Sequence, residues 1–276
     1  MVTETVASAA AVRGGTGPRW EGTGLAGQVR VLAGRSLRSL RSPRMLLISL
    51  VQPLILLTLF SQMFRSIIEA QGFPAGISYI DYLTPAILVT TAAQTAMWTG
   101  TGIADELRDG VLPRLRRLPV NLAAVVIGRN LHDAVRIAMQ VGVLTVVAVA
   151  LLGHRPPAGI AGALAAMAVA VVIGTALSGI FLALGTWLRN PELLQMVGVA
   201  VVFPLMFVST AFVPLADQPG WLATLASANP ITYAIEAARG LVLGQGGGGS
   251  LLVVLGVSAL LEVAGCLVAS ALIRRP

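Results

Sequence analysis

One carboxylate stands out by its surroundings. Glu262 lies near the middle of the apolar stretch Ser250–Ile273, and an ionised carboxylate at that depth in hydrocarbon costs roughly 2–3 kcal/mol or more. Two readings stand side by side: a group that meets a cationic substrate or gates a path, and a neutral, hydrogen-bonded packing residue. Gln94 and Gln140 lie in other apolar stretches and join Glu262 as residues that could line a translocation path. Like Gln52 and Gln62, they also suit hydrogen bonding from helix to helix. Glu236 and Arg239 are three residues apart, a spacing for a local ion pair or for the lining of an outer exit. His132 and His154 fall on opposite sides of an apolar run and read as boundary residues. Glu262 has no partner acid or histidine at matching depth, so an intramembrane enzyme is a weak reading. Cys266 is the single cysteine, which rules out an intrachain disulfide and a Cys/His metal set; it reads as a small apolar core residue. The chain holds no lysine, so no phosphate-binding loop of the G-x-x-x-x-G-K-[ST] type is possible. No residue is assigned to catalysis, and no cofactor or metal is expected on this chain.

Two basic segments carry a different chemistry. Asp105–Val120 is charged, contains Pro113 and Pro119, and cannot lie in hydrocarbon. Leu112, Leu115 and Leu118 recur every third residue beside Arg114 and Arg117, a stripe that suits docking onto another protein; a solvated loop whose arginines set topology is the plainer alternative. On a helical wheel, Leu25, Val29, Leu32, Ala33, Ser36 and Leu40 fall opposite Arg30, Arg35, Arg38 and Arg41. That pattern predicts an amphipathic helix over 25–44 lying in the inner membrane interface, its arginines on lipid phosphates. Ser42-Pro43 breaks it.

The elements that position these residues follow from composition. The 276 residues are 56% hydrophobic and 11% charged, against roughly a quarter charged in soluble domains, so the surface must face lipid. Six runs are long enough to cross a bilayer: Met45–Phe64, Tyr82–Ile103, Ala134–Leu152, Ile160–Leu188, Leu193–Val213 and Ser250–Ile273. All nineteen basic residues are arginine, and all but Arg65, Arg155 and Arg239 fall on one side of these runs. The positive-inside rule then puts both termini in the cytoplasm. The net charge of +7 therefore reads as membrane-flanking charge, not a nucleic-acid face. The outer segment 214–249 holds two apolar pieces too short to span, Trp221–Ala228 and Ile231–Leu243, which predict a re-entrant hairpin. Residues 1–24 lack the apolar core of a cleavable signal and read as a disordered cytoplasmic tail. The expected fold is thus all-α: a polytopic integral membrane protein with six transmembrane helices over 45–276, an N-terminal interfacial helix, and a re-entrant outer hairpin before helix six.

The loop motif resembles that of the membrane subunits of ABC-2 type exporters: a Glu, a Gly four residues on, then Leu, Arg-Leu and Pro-Val. Glu106, Gly110, Leu112, Arg114, Leu115, Pro119 and Val120 match in order and spacing; Pro113 and Leu118 depart from it. A second match runs through Pro219-Gly220-Trp221, Asn229-Pro230-Ile231-Thr232-Tyr233 and Arg239-Gly240. The likeness is greatest to the daunorubicin/doxorubicin-resistance permease group of actinobacteria. The resemblance implies a permease subunit in the bacterial cytoplasmic membrane that exports an amphipathic drug or lipid. It implies a coupling helix using Glu106, Gly110, Leu112, Arg114, Leu115, Arg117 and Pro119, and an outer motif using Trp221, Asn229, Pro230, Tyr233 and Arg239. The implied partners are two ABC ATPase subunits carrying ATP and magnesium, a second permease identical or homologous to this chain, membrane lipids and the amphipathic substrate, with no nucleic acid. Export of a polysaccharide or glycolipid, and a non-transporting membrane scaffold of the same fold, are the alternatives.

Overall fold

The computed structural model describes residues 43–63, 78–110, 122–215, 218–246 and 248–274. The interfacial helix expected over 25–44, with Arg30, Arg35, Arg38 and Arg41, lies outside them except for its last two positions, as do Leu112, Arg114, Leu115, Arg117 and Pro119 of the expected coupling loop.

Among the described residues the regular elements are eight α-helices: α1 (Pro43–Met63), α2 (Tyr79–Arg108), α3 (Leu122–Leu151), α4 (Gly159–Leu188), α5 (Pro191–Val208), α6 (Gly220–Ala228), α7 (Pro230–Leu243) and α8 (Gly248–Arg274). Helix is the solution an apolar run must take where no water can satisfy its backbone. Four helices, α3 to α5 and α8, are long and apolar enough to cross a membrane. In α1 the apolar stretch Ile48–Met63 is shorter. α2 has the length, about 45 Å at 1.5 Å per residue, but carries six threonines and charged residues at both ends. It is enclosed by other helices along most of its length. Thr84, Thr90, Thr95 and Thr101 return their hydroxyls to carbonyls three or four residues back, so a buried polar helix satisfies itself.

α4 is the central element, packed against α2, α8, α7 and α3. Its small residues make this possible. A Cβ on Gly185 would collide with the Gly100 carbonyl of α2, and one on Gly265 of α8 with the backbone of Gly179. Such contacts let backbones touch where lipid supplies no hydrophobic drive for helix association. α5 and α8 turn Met196, Phe207, Leu260 and Leu267 outward, the arrangement of a bundle with an apolar surround.

The helix ends depart from the expected runs where polar residues find partners inside the bundle. The third run was expected to begin at Ala134; α3 begins at Leu122 and includes Arg129, Asn130, Asp133 and Arg136. α2 continues past Ile103 to Arg108 and closes on Gly110, whose φ of 70° suits a residue without Cβ. α5 starts at Pro191 because Asn190 accepts the Leu193 amide at 3.1 Å, and it stops at Val208 instead of Val213. Asn229 alone separates α6 from α7.

Candidate functional site

Polar side chains collect at three levels of the bundle. At one end, Glu106 accepts a 2.7 Å hydrogen bond from Arg129 and so ties the last turn of α2 to α3. Gly102 leaves room for it, since a Cβ there would run into the Arg129 guanidinium. Arg108 and Glu192 approach to 4.0 Å on the same end, both well exposed, a contact of little energetic weight. About two turns into α3, Asn130 donates to Glu262 of α8 and contacts the Cys266 sulfur at 3.2 Å. Asp133 is buried on the next turn, and the Oδ2 of Asp133, the Oδ1 of Asn130 and the Oε2 of Glu262 have no hydrogen-bond partner. A second acid therefore stands beside Glu262, against the expectation of none, and Cys266 makes this polar contact while packing against the apolar cluster of Ile103, Leu182 and Ala269. Thr99 and Ser178 link α2 to α4 at 3.4 Å on this level.

The middle level is an open cavity of about 480 Å³ between α1, α2 and α3. Gln52, Gln94, Gln140, Thr91, Thr95, Ser49 and Arg136 supply its polar lining; Ile48, Pro53 and Trp98 complete it. Gln140 is fully engaged, bonded to Thr95 at 2.7 Å and to Ser49 at 2.6 Å. Among the described residues Gln94 bonds to the thioether of Met206, at 3.3 Å. A narrower cleft of about 160 Å³ shares Gln52, Gln94 and Trp98 with the cavity and adds Gln195, Val199 and Phe203 of α5. Of the residues expected to line a path, Gln94 and Gln140 thus share one cavity. Glu262 is not among its lining residues and bonds to Asn130 instead.

The opposite end is a clamp. Arg239 of α7 is buried, sits 3.5 Å over the Tyr82 ring, and donates to the carbonyls of Tyr82 at 3.3 Å and Thr210 at 2.9 Å. It makes no ion pair with Glu236, three residues before it. Tyr82 also donates its hydroxyl to the Thr210 carbonyl, at 3.4 Å. Beside it, Asp81 accepts from the Arg155 amide at 2.9 Å and stands 2.7 Å from His154 Nδ1, with both side chains buried. Asn229 accepts the Ile231 amide at 3.0 Å, capping α7, and donates to the Leu205 carbonyl of α5 at 2.6 Å. Pro230 follows as the first helical residue, where its missing N–H costs nothing. Tyr233 reaches back to Ser227 of α6 at 2.7 Å, and Trp221 is exposed. The outer motif is therefore a joint between helices. Asp81, Asn130, Asp133 and Thr91 were not singled out from sequence. A lone acid immediately before the start of an apolar run is the signal for Asp81, and the Asn130, Asp133, Arg136 spacing on one helical side is the signal for the α3 group.

The chain carries the likeness of known transport proteins over most of its length. A family description, ABC-2 type transporter, matches residues 27–243. The daunorubicin resistance ABC transporter permease protein DrrB1 of Streptomyces coeruleorubidus is 32% identical over 217 residues, covering 79% of this chain and 75% of that protein. The putative transport permease ycf38 of Porphyra purpurea is 29% identical over 200 residues, 72% of this chain and 68% of that protein. The probable doxorubicin resistance ABC transporter permease protein DrrC of Mycobacterium tuberculosis is 29% identical over 163 residues, 59% of this chain and 58% of that protein.

Proposed function

The chain belongs to the ABC-2 type transporter family, as a membrane-embedded permease subunit whose ATPase is a separate protein, and from that premise we propose that it exports an amphipathic drug or lipid. Six helices span the membrane in this reading. α1 and α2 join the four strongly apolar ones, since α2 is shielded from lipid by its neighbours and can carry its threonines there. The arginine asymmetry of the sequence supports a cytoplasmic location for both termini and for the Glu106–Arg129 end. α6 and α7 form the re-entrant outer hairpin, fixed by the Arg239 clamp.

The observation that carries the reading is the cavity between α1, α2 and α3. It is a recess with polar side chains set among apolar ones, open at the bundle's side, and the described helices around it expose many large apolar residues. An amphipathic molecule can enter such a recess laterally without crossing bulk water. Energy comes through the loop after α2, with Glu106 and Gly110 fixing its root on α3 and at the helix end. Two ATPase subunits, with their ATP and magnesium, dock there beneath a pair of permeases, either two copies or this chain with a homologue. The names of the two drug-resistance relatives support a drug as cargo; the 5% aromatic content offers little stacking surface for a polysaccharide.

The test is co-purification with a separately encoded ABC ATPase, followed by uptake of a fluorescent amphipathic drug and a labelled phospholipid into inverted vesicles. ATP-dependent uptake that vanishes with a hydrolysis-deficient ATPase is expected. If the two proteins never associate, and ATP hydrolysis ignores the permease, the transport reading fails and a scaffold of the same fold replaces it.

A further inference from the structure

Charge in the middle cavity is one-sided. Its lining contains one ionisable side chain, Arg136, and no carboxylate. Arg136 is half-buried, and among the described residues its guanidinium makes no hydrogen bond or ion pair. Asp133, three residues earlier on α3, is near enough to act on it electrostatically but makes no ion pair with it. The hydroxyl of Thr91 is buried in the same lining and also lacks a partner. A buried donor without an acceptor, as the Thr91 hydroxyl is, is rare in folded proteins. Beyond them the wall turns apolar: Ile48 and Trp98 stand exposed at 73% and 52%. Donors inside and apolar surface at the rim describe one kind of molecule.

We propose that Arg136, with Thr91, Gln94 and Gln52, binds the anionic headgroup (a phosphate or carboxylate) of an amphipathic molecule whose apolar part lies along Ile48 and Trp98. The guanidinium is the one group here that can hold two oxygens of such a head in parallel, and Thr91 Oγ1 and the Gln94 amide add donors from the facing helix. Height in the membrane agrees. Counting back about 20 residues of hydrocarbon from the outer end of α3 at Leu151 places Arg136 a few residues inside the cytoplasmic boundary. That is about 7 Å below the boundary at 1.5 Å per residue, so a molecule of the inner leaflet reaches Arg136 by drawing its head inward from the headgroup layer into the recess. This deepens the export reading by naming a substrate class for its recess; binding needs neither ATP nor a partner, so the site and the transport reading can fail separately.

The experiment uses the full chain in neutral maltoside micelles. Equilibrium binding is measured for radiolabelled dioctanoyl-phosphatidylglycerol, for dioctanoyl-phosphatidylcholine with the same tails and no net charge, and for inorganic phosphate. The expected result is at least about tenfold tighter binding of the phosphatidylglycerol than of the phosphatidylcholine, a difference of about 1.4 kcal/mol. Arg136→Gln removes that preference, Arg136→Lys keeps part of it, and Arg155→Gln, at an arginine outside the cavity, leaves it intact. Phosphate alone binds far more weakly, which separates a headgroup on a tail from a free ion. A preference that survives Arg136→Gln overturns the site, and phosphate binding as tight as the lipid overturns its amphipathic character. Should Arg136→Gln fail to fold, a photoactivatable phosphatidylglycerol on the wild-type chain decides: adducts in α1, α2 or α3 around the cavity support the proposal, and adducts confined to other helices refute it.

Discussion

Replacing Arg239 by alanine should destabilise the protein by about 3 kcal/mol, and the figure can be built from its contacts. The 2.9 Å bond to the Thr210 carbonyl is charge-assisted, worth about 1.5–3 kcal/mol. The 3.3 Å bond to the Tyr82 carbonyl is longer and weaker. The guanidinium over the Tyr82 ring adds about 0.5–2 kcal/mol. Against these stands the desolvation of a buried cation, relieved when the side chain is cut, and hydrogen bonds within membrane bundles contribute less than the bare values. A net loss near 3 kcal/mol lowers the unfolding midpoint by about 6–12 °C at the roughly 2–4 °C per kcal/mol expected for a chain of this size. The assay is thermal unfolding in detergent, followed by tryptophan fluorescence and by size-exclusion recovery. Arg239→Lys should fall between, since an ammonium lacks the planar fork. Glu236→Gln is the control that separates the clamp from a local ion pair: Glu236 does not touch the guanidinium, so the change stays within about 0.5 kcal/mol. A shift below about 2 °C for Arg239→Ala, or an equal shift for Glu236→Gln, would refute the reasoning.

Other consequences are open to the same assays. Asp81→Ala strips the acceptor from His154 and from the Arg155 amide in a buried site and should cost about 2–3 kcal/mol; an unchanged melt would mean that water fills the place. Gly185→Leu drives a side chain into the Gly100 carbonyl, overpacking that costs roughly 1–3 kcal/mol or more, and monodisperse yield should collapse; a normal yield would contradict the close approach of α2 and α4. Asn130→Ala should destabilise by about 2 kcal/mol because it leaves a buried carboxyl short of a donor, while Glu262→Gln keeps an acceptor oxygen and should cost under about 1 kcal/mol. If Glu262→Gln also leaves ATP-driven transport unchanged, the carboxylate has no part in the mechanism; if it is the more damaging change, its charge is required.

Legibility from the sequence follows the range of the interaction. Each of the eight described helices overlaps a run that apolar content, proline and asparagine mark out locally, and Asn229-Pro230 marks the junction between α6 and α7. The start of α3 was misplaced by a dozen residues because Arg129, Asp133 and Arg136 look like loop residues in isolation. Their partners lie far away in the chain: Glu106 for Arg129, and Glu262 for Asn130. Arg239 shows the same limit. Its local neighbour Glu236 suggested a pair by spacing alone, whereas Tyr82 is 157 positions distant and no pattern of period 3.6 points to it. The cavity was half visible, in that Gln94 and Gln140 stood out as polar residues in apolar runs; their convergence with Arg136 and Thr91 depends on helix rotation, which hydropathy does not encode.

The glycine contacts along α4 distribute freedom to vary unequally over the molecule. Where two backbones touch, as at Gly100 with Gly185 and Gly179 with Gly265, neither side can gain a carbon unless the helices move apart. A single substitution there has no viable intermediate. The outward rows of α5 and α8 answer only to a fluid solvent that accepts any apolar shape. Tolerance to substitution is therefore expected to be low along the central post and high on those outward rows.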